Sequence, residues 1–331
     1  MANMNRLHYF STISLITLLL FSASCNKSNH NSSLKLAHSL NITHPVHKAM
    51  EFMSERVNEL SEGQLAITIY PSGQLGSEQQ NVELLQLGSL AMTKVSAAVM
   101  EGFSDDYKVL SLPYIFKSRE HYFEVCDGEI GKDILLSTEN KMLRGLCFYN
   151  AGSRSFYSNQ KPILTPEDLE GSKIRVMNSQ TAMQMVSALG GSPTPLAPGE
   201  LYTALQSGVV DGAENNPPTF YTTRHYEICK YYSLDEHSSI PDVLLMSKIV
   251  WDKLSKEEQS WIIQAINESV LVQRKLWDEA ENDALQKLEA AGVEISHPNK
   301  ELFLNKLTEL YSTYSDNKEL AAYIQRIREL E

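Results

Sequence analysis

Two arginines stand in apolar, strand-like parts of the sequence, where an unpaired charge is costly. Arg154 follows Gly152-Ser153 where a strand is expected to end, and Arg175 lies in the short run Lys173–Val176. Alternation along a strand places Arg175 on the face opposite its apolar neighbours. A guanidinium can bind a carboxylate through two parallel hydrogen bonds, so we expect both arginines to contact an anionic ligand. The alternatives are an ion pair of Arg175 with Glu167 or Glu214, and a solvated loop charge at Arg154.

Amides follow in the segment Asp211–Pro218. Asn215 and Asn216 precede Pro217-Pro218, which stiffens the backbone behind them. Amide groups can donate to a carboxylate and can also bind hydroxyl groups, so Asn215 is a candidate ligand contact. Ordinary turn chemistry is the alternative.

No pattern in the sequence indicates catalysis or a bound metal. His38, His44 and His47 lie close together, but no acid or cysteine completes a ligand set at metal-site spacing. We interpret them as polar loop histidines. Phosphate-binding, nucleophile-elbow and zinc-protease motifs are absent from the sequence, so we expect no cofactor and no enzyme activity.

Length and charge restrict the class of protein. The 331 residues suffice for about two domains, and the apolar fraction of 42% is that of a globular protein. The net charge of -12 argues against nucleic acid as a partner.

The N-terminus is typical of an export signal. Arg6 precedes an apolar core, residues 13–21, that is too short to span a bilayer, and Ser22-Ala23-Ser24 then leads to Cys25. This resembles a bacterial lipoprotein signal: residues 1–24 would be removed, Cys25 acylated, and 25–33 would form a flexible tether. The alternative is an ordinary signal peptide with an incidental cysteine.

Hydrophobic periodicity predicts a mixed α/β fold. A strand over 34–37, a helix over 46–60 and a strand over 64–70 give a parallel start. Residues 255–291 contain neither Gly nor Pro and predict one long helix. Three further cysteines, Cys126, Cys147 and Cys229, cannot all pair with one another; a bridge between Cys126 and Cys147 is left open.

Five motifs together resemble one family, the substrate-binding proteins of tripartite ATP-independent periplasmic (TRAP) transporters, of the DctP type. They are Tyr70–Gly76, Leu112–Phe116, Lys173–Val176, Leu201–Gln206 and Val209–Asn215. The resemblance implies an α/β clamshell of two domains with a hinge, a long helix spanning both domains and a ligand cleft between them. We expect domain I over 34–151 plus about 240–280, and domain II over 152–239 plus about 281–331.

The resemblance also carries over residue by residue. The family's selectivity arginine falls on Arg175, its second arginine on Arg154 and its asparagine on Asn215. Members that bind sialic acid have further contacts at positions matching Ser39, Glu78, Ser96 and Asn178, but Pro198 replaces their aromatic residue. The sequence is more similar to members that bind uronic acids, which implies that Glu78 and His38 bind sugar hydroxyls.

The expected function is that of a receptor that binds a small organic acid and delivers it to the permease subunits of the membrane. The expected location is the periplasm, with contact to the membrane only through the lipid anchor at Cys25. Three alternatives are a receptor for C4-dicarboxylates, an exported enzyme that uses Glu78 or Glu214 as acid and base, and a sensor that feeds a signalling partner.

Overall fold

Two β-sheets with helices packed on them form the structure, a computed structural model that describes residues 32–330. The first sheet has the order β2-β1-β3-β10-β4. Its strands are β1 (Ser32–Ala37), β2 (Leu65–Tyr70), β3 (Met92–Ser96), β4 (Leu143–Tyr149) and β10 (Asp242–Ser247). Strand β3 pairs in parallel with β1 and antiparallel with β10, which enters this sheet from the distant second half of the chain.

The second sheet has the order β11-β9-β5-β8-β6-β7. Its strands are β5 (Arg154–Ser158), β6 (Lys173–Val176), β7 (Ser192–Pro195), β8 (Gly212–Asn215), β9 (Tyr231–Ser238) and β11 (Glu294–Ser296). Strands β6, β7 and β8 run parallel, whereas β5 is antiparallel to both of its neighbours. The mixed α/β fold predicted from the sequence is confirmed.

Thirteen α-helices are described within residues 32–330. They are α1 (Pro45–Leu60), α2 (Glu78–Gln86), α3 (Ala97–Met100), α4 (Arg119–Asp127), α5 (Glu129–Leu136), α6 (Gln180–Ala188), α7 (Leu201–Gln206), α8 (Pro217–Thr222), α9 (Lys248–Trp251), α10 (Lys256–Ala290), α11 (Lys300–Lys306), α12 (Thr308–Ser315) and α13 (Lys318–Glu329). Short 3₁₀ helices cover 105–111, 139–141, 166–169, 198–200 and 225–227.

Helix α10 contacts elements on the side of both sheets, as expected for the long helix predicted to span both domains. Its 35 residues correspond to a length of ~52 Å. It packs against α1 and β4 on the side of the first sheet and against α8 on the side of the second. Ser255 and Glu258 form a capping box at its start.

The chain passes between the sheets at residues 150–153 and again at 239–241. Helix α10 holds the first of these segments, because the Gln273 amide accepts a hydrogen bond from the Asn150 N–H at 2.9 Å and donates to its carbonyl oxygen at 2.7 Å. Gly152 has a φ of +60°, and a Cβ there would lie 2.9 Å from the Trp277 ring. Only glycine fits at this position of the hinge.

Several local predictions need correction. Strand β1 begins at Ser32, so the last two residues of the predicted tether 25–33 belong to the sheet. Residues 119–136 form two helices that meet at Gly128. Cys126, Cys147 and Cys229 are all buried free thiols, so the Cys126–Cys147 bridge is not formed.

The domain boundaries remain a prediction. The sheets take their strands from the expected parts of the chain, but the last helix, α13, contacts α5 and residues 105–111 beside the first sheet. The predicted signal peptide and Cys25 lie outside the described residues. Within residues 32–330 no helix is both long enough and apolar enough to cross a membrane.

Candidate functional site

A cavity of about 90 Å³ is lined by residues from both sheets and from their connecting segments. The polar residues contributed by the first half of the fold are Ser39, Asn41, His44, Glu78, Lys94, Ser96 and Asp242. Those contributed by the second half are Arg154, Arg175, Asn215, Asn216, Thr219, Thr222, Thr223 and His225. Of the predicted ligand contacts, the structure therefore places Arg175, Arg154, Asn215, Glu78, Ser39 and Ser96 around one space.

Arg175 is a buried cation without an acidic partner among the described residues. Strand β6 turns its side chain away from the buried Ile174 and Val176, as the alternation predicted, and only 1% of Arg175 is exposed. Its Nε and Nη2 both donate to the Leu196 carbonyl oxygen, at 2.9 and 2.7 Å. Burial lowers the pKa of Arg175, but a guanidinium keeps its charge at neutral pH. The remaining N–H groups of Arg175 can bind an anion that enters the cavity.

Arg154 also lines the cavity, but its guanidinium is already paired. Its Nε and Nη2 bind both carboxylate oxygens of Glu214, and Nη2 also donates to the Glu214 carbonyl oxygen at 2.9 Å. Its Nη1 donates to the Asn215 side-chain oxygen at 3.0 Å. Four of the five N–H groups of Arg154 are thus in use. Arg154 is therefore not the solvated loop charge considered as the alternative, and its contact with a ligand carboxylate stays a prediction that one free N–H group could serve.

The ion pair continues into a buried chain of charges. His237 lies 3.6 Å from the Glu214 carboxylate and 2.8 Å from that of Asp235. Burial alone would lower the pKa of His237, but the two carboxylates outweigh it and raise the pKa to about 9. Burial would likewise raise the pKa of Glu214, but Arg154 and His237 lower it to about 2. Glu214 therefore stays ionised and is held away from the cavity, which does not suit a catalytic acid or base.

Asn215 keeps a donor for the cavity. Its side-chain oxygen accepts from Arg154 and from the Asn216 N–H, the second at 2.9 Å. These two bonds orient the amide, so its Nδ2 group is the free end. The Asn216 side chain caps helix α8 by accepting from the Thr219 N–H at 2.8 Å, which is the turn chemistry considered as the alternative.

Carboxylates line the part of the cavity contributed by the first sheet. Glu78 accepts from the Ser39 hydroxyl at 2.8 Å and from the Ser96 N–H at 3.3 Å. The buried Lys94 lies 3.0 Å from Asp242 and 3.5 Å from Glu78. Burial alone would lower the pKa of Lys94, but the two carboxylates raise it, so this lysine is charged and pairs with both acids. Acceptors that remain on Glu78 and Asp242 suit hydroxyl groups of a ligand.

His38 is not a cavity-lining residue, contrary to the prediction. Its Nδ1 accepts from the Leu40 N–H at 3.1 Å, and its Nε2 lies 3.0 Å from Nδ1 of His47. His47 in turn lies 3.1 Å from the Glu51 carboxylate. Both ring nitrogens of His38 are therefore engaged inside the protein, where they order the loop that carries Ser39.

The histidines of this region are buried rather than solvated, so our interpretation as polar loop histidines is wrong. Burial and the charge of Lys94 lower the pKa of His38 to about 2 and that of His44 to about 3. Nε2 of His44 lies 3.3 Å from the Thr219 hydroxyl, which links α1 to α8 across the cavity. No cluster of His, Cys, Asp and Glu within residues 32–330 is arranged to hold a metal ion.

Asn178 lines a neighbouring cavity of about 140 Å³ instead of the one around Asn215. Arg175, Glu78, Met177 and Pro198 border both spaces. The Asn178 amide donates to the Gln79 side-chain oxygen at 2.9 Å, and thus joins the loop after β6 to helix α2. In the structure, the Asn178 side chain therefore forms a hydrogen bond between the two halves of the fold.

A larger cavity of about 520 Å³ lies on the other face of the hinge. Asn150, Gly152, Ser153 and Ser239 line it, whereas Ala151, Arg154 and Ile240 face the smaller one. Of its cations, Arg119 and Lys300 pair with acids of the protein, and the exposed Lys117 donates to the carbonyl oxygens of Arg328 and Leu330. The smaller cavity is the candidate ligand site, because it contains Arg175, a buried cation without an acidic partner among the described residues.

Sequence reasoning missed Lys94, Asp242, His44 and His225. Lys94 is the one charged residue in the largely apolar run Leu90–Val95, and this was the available signal. Nothing in the sequence around His225 distinguishes it from a surface histidine.

Two α/β halves that enclose a polar cleft at a hinge define an extracellular solute-binding protein. The family model DctP, described as "Bacterial extracellular solute-binding protein, family 7", matches residues 36–317, and the chain belongs to this family. The match, together with the solved structures below, confirms the predicted two-domain clamshell of a TRAP solute-binding protein.

Individual relatives agree with this assignment. The chain is 38% identical to an uncharacterised protein of Salmonella typhimurium, YiiZ, over 96% of this chain and 97% of that protein. A TRAP periplasmic solute-binding protein from Xanthobacter autotrophicus with bound β-D-galacturonate is 38% identical, with a TM-score of 0.87 over 90% of this chain and 100% of that one. One from Anaerococcus prevotii with bound D-glucuronate is 36% identical, with a TM-score of 0.88 over 90% and 97%.

Proposed function

We propose that this protein is the periplasmic receptor of a TRAP transporter and that its ligand is a hexuronate such as D-galacturonate or D-glucuronate. The observation that carries the proposal is Arg175, a cation that is 1% exposed and lacks an acidic partner among the described residues. An anion bound there would compensate a buried charge. The solved relatives with bound uronates support this ligand class.

Charge at the other side of the cavity favours a ligand with one carboxylate. Glu78 and Asp242 present acceptors for hydroxyl groups and would repel a second carboxylate. A uronate has one carboxylate and several hydroxyls, whereas a C4-dicarboxylate has a charge at each end. The same acids would also accept from the hydroxyls of either hexuronate epimer.

Three further parts of the proposal concern delivery. Cys25 would carry a lipid that tethers the receptor to the membrane, and the bound uronate would pass unchanged to the permease subunits. Binding would close the cleft by shifting an equilibrium between open and closed forms. No turnover is expected, because Glu214 is committed to Arg154.

A thermal-shift screen tests the ligand class. The panel holds D-galacturonate, D-glucuronate, D-gluconate, sialic acid, succinate, malate and D-glucose. A ligand at a hundredfold excess over its Kd stabilises the native state by ~2.7 kcal/mol. We expect a shift with the uronates and none with D-glucose, whereas a shift with succinate or malate alone would overturn the uronate assignment.

A further inference from the structure

The guanidinium of Arg154 is paired with Glu214, so it is largely unavailable to help Arg175 bind a carboxylate. A carboxylate offers about four acceptor positions. Arg175 can fill two of them with its Nη1 and Nη2 edge, and Arg154 has a single N–H group left. A second donor that faces the same cavity would complete the anion site.

His225 occupies a suitable position. It lines the cavity together with Arg175, and only 3% of it is exposed. Its Nδ1 lies 2.9 Å from the Tyr157 hydroxyl. The ring is therefore anchored on one side, and Nε2 is at its opposite edge.

The second sheet places Tyr157 and Arg175 on either side of one small residue. Ala213 of β8 pairs with Tyr157 of β5 and, on its other side, with Arg175 of β6. Residues paired in this way point to the same face, and two strand spacings separate the outer pair by ~10 Å. Ala213 has a small side chain, and His225 forms its hydrogen bond with the Tyr157 hydroxyl.

Tyr157 also determines which ring nitrogen of His225 carries the hydrogen. The hydroxyl of Tyr157 has no other hydrogen-bond partner among residues 32–330, so its buried proton finds an acceptor only if the hydroxyl donates to Nδ1. Burial raises the pKa of Tyr157, which keeps that proton in place. Burial and the nearby charge of Arg175 lower the pKa of His225 to about 4, so the ring is neutral at pH 7. A neutral ring that accepts at Nδ1 has its N–H at Nε2.

We infer that His225 is a further ligand-binding residue, whose Nε2–H donates to the carboxylate held by Arg175. This inference rests on the proposed function. Tyr157 is the positioning residue, since it orients the ring and holds the donor tautomer. His225, positioned by Tyr157, would make the second contact with the carboxylate that the sequence analysis assigned to Arg154.

Two measurements test the inference on the protein expressed from the whole 331-residue sequence. In the ligand-free protein, ¹⁵N NMR of labelled histidine should show His225 with its hydrogen on Nε2. Tyr157→Phe removes the hydroxyl but keeps the ring that stacks on Phe220, and should populate both tautomers. A hydrogen on Nδ1 in the wild-type protein would overturn the inference.

Calorimetry with D-galacturonate gives the second measurement. His225→Phe keeps the ring shape but removes the donor, and should raise the Kd about 10- to 100-fold. His225→Gln supplies an amide N–H and should recover most of that loss. Equal losses of affinity in both variants, or unchanged binding by His225→Phe, would overturn the inferred role of His225. Either outcome would leave the proposed function standing. If the wild-type protein bound neither D-galacturonate nor D-glucuronate, the proposed function would be wrong. The inferred contact of His225 with the ligand carboxylate would then be wrong as well.

Discussion

Arg154 and Glu214 form a buried ion pair across the neighbouring strands β5 and β8, with both carboxylate oxygens bound by one guanidinium. Both side chains are nearly inaccessible to solvent. Arg154 lines the cavity, whereas Glu214 does not, and Nη1 of Arg154 orients the Asn215 amide there. We therefore expect Arg154 to act on a ligand mainly through its neighbours.

The first prediction concerns stability. Arg154→Met leaves Glu214 as a buried charge with only His237 nearby, and should lower the free energy of unfolding by ~3–5 kcal/mol. The double variant with Glu214→Leu should recover most of this loss, because neither charge is then left alone. Urea denaturation measures both. An Arg154→Met variant of native stability that fails to bind uronate would instead identify Arg154 as a direct ligand clamp.

The second prediction concerns discrimination by Glu78. Replacing it with Gln removes the negative charge near the hydroxyl end of the ligand. The ratio of affinities for D-galacturonate over its dicarboxylate D-galactarate should fall about tenfold or more, because like charges within an interface cost several kcal/mol. Competition calorimetry measures the ratio. Glu55→Gln, at an exposed position of helix α1, is the control, and an equal change there would argue against a local effect of Glu78.

The third prediction separates closure from ligand contact at Asn178. The Asn178–Gln79 hydrogen bond joins the two halves of the fold, so Asn178→Ala and Gln79→Ala should each weaken uronate binding, by about two- to tenfold. The double variant should be no weaker than either single variant, because both remove the same bond. If Asn178→Ala still lost affinity in the Gln79→Ala background, Asn178 would contact the ligand itself, as the family resemblance implied.

The fourth prediction concerns acid stability. The pKa values of His38, His44 and His225 are lowered to about 2, 3 and 4. Between pH 6.5 and 4 these rings are protonated when the chain is unfolded but neutral when it is folded. Stability therefore falls as the pH falls through this window, by about 1.4 kcal/mol per pH unit for each histidine. His237, with its pKa raised to about 9, has the opposite effect and loses its contribution only as the pH rises from 6.5 through 9.

Denaturation of a His44→Gln variant at several pH values measures this effect. Its stability should depend on pH less steeply between pH 6.5 and 4, by about 1.4 kcal/mol per pH unit. His297→Gln replaces an exposed histidine and should leave the slope unchanged. An unchanged slope in His44→Gln would mean that His44 is already protonated in the folded protein.

The sequence predicted those features that depend on local pattern. Alternation in Lys173–Val176 placed Arg175 away from the core, and the uninterrupted run before Ala291 indicated the long helix. Arg154 and Glu214 are 60 residues apart, and their pairing depends on the register of two strands, which spacing along the chain does not reveal. The engagement of His38 likewise depends on a helix that folds back beside its loop. Contacts of this kind determine which of the predicted residues line the cavity.

The most direct test of the central claim is a calorimetric titration of wild-type protein, Arg175→Lys and Arg175→Ala with D-galacturonate and D-glucuronate. We predict that the wild-type protein binds at least one uronate and that Arg175→Ala loses ~2–5 kcal/mol of binding free energy. Arg175→Lys should lie between them, because an ammonium group retains the charge without the planar fork. Near-normal uronate binding by a folded Arg175→Ala variant would contradict the assignment of Arg175 as the carboxylate clamp.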